Sequence, residues 1–122
     1  MADRALVTGA AGFIGFHVGL LPVPRTPWTP YKFYLKLVQY MALGIPPVAT
    51  PLGSNPTVID DGVTGFLADD EAAWRRIVDR LIDDRGLREQ VGRRAADVAR
   101  ERYTLQANAE RIVAAFRSAV SR

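Results

Sequence analysis

YKFYLKLVQYMALGIPPVATPLGSNPTVIDDGVTGFLADD, residues 31–70, is the stretch on which the fold turns. It opens with apolar side chains at Phe33, Leu35, Leu37, Val38 and Met41, and Gly44 follows them. The spacing predicts a helix over 31–43. Thr29 is its N-cap, Pro30 sits at the first helical position and Gly44 at the C′ stop. Lys32, Lys36 and Gln39 recur at i, i+4 and i+7, so on that helix they share one face. A helix that is apolar apart from one polar stripe lies at a surface or lines a cleft. Residues 48–50 read as a strand. Pro46 and Pro47 argue against full central-strand hydrogen bonding at its first residues. TPLGSNP is a turn, after which Ser54 or Asn55 can cap a short helix over 56–60. Residues 65–68 form the next short strand.

Outward from this stretch, the C-terminal half is helical. Asp69 or Asp70 starts a helix with Trp74, Ile77, Val78, Leu81 and Ile82 on one face. Asp84 can cap a second, with Leu87, Val91, Ala95 and Val98 inward. Thr104 can cap a third, striped by Leu105, Ala109, Ile112, Val113, Phe116 and Val120. Toward the N-terminus, residues 22–30 hold four prolines and form a loop. Residues 17–23 read as a strand, against a rival helix over 11–21 that periodicity cannot separate. Residues 4–8 read as a strand entering a glycine-punctuated turn, GAAGFIG. The expected fold is α/β: a small Rossmann-like parallel sheet of three to four strands, with helices, in one domain over 1–122.

At 122 residues, 48% apolar and 24% charged, the chain falls in the globular class. No apolar run reaches the roughly 18 residues of a membrane helix, and no targeting segment is expected. Without cysteine there are no disulfides or thiolate metal sites, and the expected location is cytoplasmic. The net charge of +3 is uneven. Up to Ile59, Arg4, Arg25, Lys32 and Lys36 face a single acid, Asp3, while beyond it arginines and acids balance. A mildly basic, Gly-rich front suits a phosphate-bearing ligand. Dispersed charges without meaning are the alternative. The alternating charges of the back half form no stripe for nucleic acid.

Two resemblances are carried by particular residues. TGAAGFIG is similar to the opening of extended short-chain dehydrogenases and epimerases, with Gly9, Gly12 and Gly15 in their G-x-x-G-x-x-G pattern. The resemblance covers about residues 1–18 and implies NAD(P) at a glycine turn where amides meet a pyrophosphate. Two parts of that site are missing. No acid stands between Arg4 and Ile59 to hold a ribose. No Tyr-x-x-x-Lys pair occurs, since Tyr31 and Tyr34 are followed four positions on by Leu35 and Val38. NAD(P) is therefore the lesser expectation, beside a plain packing role for strand and turn. His17, which matches a common residue after those glycines, is read as structural.

Residues 19–122 resemble the C-terminal part of retaining GT-B-type glycosyltransferases. The carrying motifs, in order, are Tyr40-Met41-Ala42-Leu43-Gly44, Val48-Ala49-Thr50, Asp61-Gly62-Val63-Thr64-Gly65-Phe66-Leu67 and Arg102-Tyr103-Thr104. The resemblance implies a nucleotide diphosphate sugar as ligand. Lys32 and Lys36 would lie at the diphosphate, Gln39 at the ribose, and Gly53, Ser54 and Asn55 in a turn offering amides to an anion. Where that family carries two Glu eight positions apart, this chain has Tyr31 and Gln39. The expectation is a donor-binding fragment, inactive in transfer by itself. A solvated helix side and ordinary turn glycines are the plain alternative. A small sheet with open edges, and a last helix with an uncovered apolar stripe, also predict a homo-oligomer or strand-exchanged dimer.

Overall fold

The computed structural model describes residues 17–121. Three parallel strands, β1 (Gly19–Leu21), β2 (Pro47–Ala49) and β3 (Phe66–Leu67), form a sheet in that order. Val48 stands beside Leu20 and Phe66, so β2 is central. A 3₁₀ turn (Thr29–Tyr31) and α1 (Leu35–Ala42) connect β1 to β2, and α2 (Asn55–Val58) connects β2 to β3. Then follow α3 (Glu71–Asp83), α4 (Arg85–Arg102) and α5 (Leu105–Val120). This is the α/β sheet with a helical C-terminal half that the sequence predicts. The strand reading holds at 19–21, and the first predicted strand, over 4–8, lies outside the described residues.

Successive residues of a strand point to opposite faces, and β2 divides the core accordingly. Ala49 packs with Leu37, Val38 and Met41 of α1 and with Ala95 and Ala99 of α4. Val48 packs on the other side with Val18, Phe66, Leu81 and Val91. The caps of the last three helices fall where the sequence places them. Asp70 accepts from the Ala73 amide at 2.8 Å, Asp84 from Leu87 at 2.9 Å and Thr104 from Ala107 at 3.1 Å. The Arg88 guanidinium donates to the last carbonyls of α3, Leu81 at 2.8 Å and Ile82 at 2.7 Å, and so joins α3 to α4.

Two expectations need correction. Pro47 begins the middle strand; as the first residue of β2 it forfeits no more than one donor, and the Gly19 amide bonds the Pro46 carbonyl at 3.0 Å. The helix predicted over 31–43 begins only at Leu35. Thr29 closes a 3₁₀ turn with no side-chain cap, and Lys32 is extended (φ −94°, ψ 140°). The cause is tertiary. In a helix the Lys32 carbonyl would accept from Lys36, whereas here it accepts from the Ser54 amide at 3.1 Å. Lys32 therefore does not share a helix face with Lys36 and Gln39.

Candidate functional site

In open parallel sheets ligands bind beyond the carboxyl ends of the strands, and there the loops of this chain are tied together. The Thr50 amide continues the ladder to the Leu21 carbonyl at 3.2 Å, and its hydroxyl accepts from the Val23 amide at 2.9 Å. One side chain thus binds the exit of β1 to the exit of β2. The proline-rich loop is gathered on Thr29, which is 3% exposed. The Thr29 hydroxyl donates to the Pro24 carbonyl at 2.7 Å and accepts from the Thr26 amide at 3.2 Å. Arg25 pairs with Asp69 and links this loop to the end of β3.

Gly53 is the hinge of the arrangement. Its φ is +59°, and a Cβ there would stand 2.5 Å from the Lys32 carbonyl oxygen and 2.9 Å from the Tyr34 ring. Only a residue without a side chain lets the loop carrying Lys32 close on the turn after β2. Asn55 is fully buried; its Nδ2 donates to the Thr50 carbonyl at 3.0 Å. Asn55 Oδ1 and Ser54 Oγ are buried without a protein partner. The amides of this turn are largely committed: Ser54 donates to Lys32, Asn55 to Leu52 and Thr57 to Ser54, and Pro56 has none. The amide donors expected for an anion are thus mostly engaged within the protein.

The predicted residues therefore fall into three groups. Lys32, Gly53, Ser54 and Asn55 meet through the backbone at the carboxyl edge of the sheet. Lys36 is half-buried in the first turn of α1, and Gln39 is exposed about a turn further along. Neither lysine has an ion-pair partner among the described residues. Gly9, Gly12 and Gly15, and with them the NAD(P) reading, lie outside the described residues. Thr29, Thr50 and Tyr34 are organising residues that the sequence did not single out for this role. Threonine directly after a short apolar strand was the available signal for Thr50.

A cavity of about 360 Å³ opens at the opposite, amino end of the strands, between His17, Pro46, Arg85, Arg88 and Glu89. Its charges are engaged: Arg85 pairs with Glu89 at 2.9 Å, and Arg88 holds the end of α3. Among the described residues no group of three or more His, Cys, Asp or Glu could hold a metal ion, and no helix is long and apolar enough to cross a membrane.

A parallel sheet flanked by helices, with a tied loop cluster at its carboxyl edge, defines an α/β domain. The chain belongs to the family of group 1 glycosyl transferases, which it matches over residues 15–84. It is 34% identical over 91 residues to D-inositol 3-phosphate glycosyltransferase of Corynebacterium kroppenstedtii, covering 73% of this chain and 20% of that protein. It is 37% identical over 92 residues to the protein of the same name from Paenarthrobacter aurescens, covering 74% and 22%. The chain thus spans about a fifth of the length of these relatives. Its fold is similar to that of sucrose-phosphate synthase from Thermosynechococcus elongatus, with a TM-score of 0.69 and 21% identity over 73% of this chain and 23% of that one. These matches support a GT-B-type glycosyltransferase fragment. The family match begins at residue 15, so Gly9 and Gly12 fall outside it.

Proposed function

We propose that this chain is part of the donor-binding half of a retaining glycosyltransferase and seats a nucleotide diphosphate sugar over the carboxyl ends of β1 and β2. Lys32 and Lys36 face the diphosphate, Gln39 reaches the ribose hydroxyls, and residues 53–55 form the floor. The observation that carries this reading is the contact of Gly53 with the Lys32 carbonyl, which brings a cationic loop against the turn after the central strand. Lys32 and Lys36, neither of which has an ion-pair partner among the described residues, are suited to attract a doubly charged phosphate group. The orphaned Ser54 Oγ and Asn55 Oδ1 are polar groups that a hydroxylated ligand or a water can satisfy. A cytoplasmic setting accompanies this reading, in keeping with a sequence without cysteine.

Binding is proposed here without transfer. Transfer requires a stabilised departing diphosphate and a second substrate held in line. Tyr31 and Gln39 supply no carboxylate, and Tyr31 is 86% exposed. The test is an amide NMR titration with a nucleoside diphosphate and its sugar. Shifts clustered at residues 32–39 and 50–55 are expected, and replacing Lys32 and Lys36 by alanine should weaken binding at least tenfold. Unmoved amides at millimolar ligand would sink the proposal.

A further inference from the structure

The proline-rich loop carries a surface that the diphosphate seat leaves unused. Trp28 is 72% exposed and Tyr31 86%, although both side chains are large and mostly apolar. The Tyr31 amide donates to the Trp28 carbonyl at 3.1 Å, so these two residues open and close one 3₁₀ turn. In such a turn the side chains at i and i+3 eclipse one another. Both rings therefore leave it on one side, about 6 Å apart along its axis. The indole and the phenol make no hydrogen bond or ring contact among the described residues.

The turn is held from beneath. Thr29, between the two aromatic residues, is buried, and its carbonyl accepts from the Lys32 amide at 3.2 Å. A Cβ at Gly53 would stand 3.0 Å from that carbonyl oxygen, so the turn rests on the loop after β2. Pro27 and Pro30 fix φ on either side of Thr29. Rings presented on a backbone already ordered bind a ligand without the cost of ordering it. The surroundings select the ligand. Lys32 follows Tyr31 directly, Arg25 is engaged by Asp69, and Asp70 and Glu71 come next at the same edge. An anionic bilayer would meet those acids, whereas a saccharide carries no charge for them to repel. A pyranose chair turns weakly positive C–H bonds to the negative face of an aromatic ring. Its hydroxyls can meet the indole N–H, the phenol O–H and the Lys32 ammonium.

We infer that Trp28 and Tyr31 form a stacking platform for a saccharide ring, beside the seat proposed for the diphosphate. The position rests on that proposed function, because Lys32 joins the two. The ring is the one a nucleotide carries or that of a free sugar, and the recognised chemistry is the same. Phe33, also exposed, lies past the end of the turn, beyond the extended backbone of Lys32, and is not one of the eclipsed pair.

Tryptophan fluorescence of the whole chain tests this. The chain holds two tryptophans, Trp28 and Trp74. Trp74→Phe leaves Trp28 as the sole indole, and acrylamide quenching then reads its exposure. Uridine diphosphoglucose, or the free disaccharides maltose and cellobiose, should cut the quenching at least twofold, and uridine diphosphate alone should leave it unchanged. Protection by the nucleotide sugar only assigns the ring to a donor, and protection by the disaccharides assigns it to a free sugar. In the same background Tyr31→Ala should weaken the protection at least threefold, while Phe33→Ala should leave it as it was. Circular dichroism checks that each variant stays folded. Quenching that no sugar changes overturns the proposal. So does equal protection by uridine diphosphate and its glucose ester with none from the disaccharides, because the sugar ring then adds nothing. An equal loss in Phe33→Ala overturns it as well, since a general apolar patch would behave that way. Amide shifts at residues 32–39 with uridine diphosphate, without protection of Trp28 by any sugar, remove the platform and leave the donor reading standing. Protection by a disaccharide without those shifts does the reverse.

Discussion

Gly53 bears more of the candidate site than its size suggests. Its left-handed backbone and the 2.5 Å approach of the Lys32 carbonyl leave no room for a methyl group. Gly53→Ala should destabilise the protein by about 1–3 kcal/mol, from backbone strain and displacement of the loop. Urea unfolding measures this, and the same variant should lose the ligand-induced shifts at residues 32–39. Tyr40, 1% exposed, gives a second residue-scale expectation. Burial pushes its phenol up from the ordinary value of 10.0. The folded state therefore holds a proton that the unfolded chain gives up near pH 10. Stability is complete below that pH and falls as pH rises above it. Absorbance at 295 nm should show a late-titrating tyrosine that Tyr40→Phe removes. Equal titration curves for parent and variant would contradict this.

The elements differ in how much of their definition is local. The starts of α3, α4 and α5 rest on Asp70, Asp84 and Thr104, each accepting from an amide three residues on. Asp84→Ala should cost about 1 kcal/mol and lower the melting temperature by several degrees. The start of α1 is not local. Thr29-Pro30 is a sound helix opening, and it is overridden because Ser54, far along the chain, takes the Lys32 carbonyl. The packing of α4 against the end of α1 is equally non-local. A Cβ at Gly92 would stand 2.1 Å from the Gly44 carbonyl oxygen, a backbone atom with no rotamer to yield. Gly92→Ala should force the two elements apart and cost about 2 kcal/mol or more, read as a lower urea midpoint. A midpoint equal to the parent's would show that the helices separate freely.

Among the described residues, the sheet and the helices α1 to α4 supply the buried core, while α5 carries an exposed apolar face. The sequence by itself determined the fold class, the order of the elements and the caps of the last three helices. Hydrophobic period, capping residues and glycine stops act within a few residues of where they stand. It also named Lys32, Gly53, Ser54 and Asn55, which meet at the carboxyl edge of the sheet, but not the organising roles of Thr29, Tyr34 and Thr50. Only the tertiary structure decided their arrangement: Lys32 left the helix of Lys36 and Gln39, Pro47 opened the central strand, and the amides of Ser54, Asn55 and Thr57 were engaged inside the protein. The Ser54–Lys32 and Gly19–Pro46 hydrogen bonds behind these outcomes join segments distant in the chain, and such pairings leave no periodic trace in the sequence.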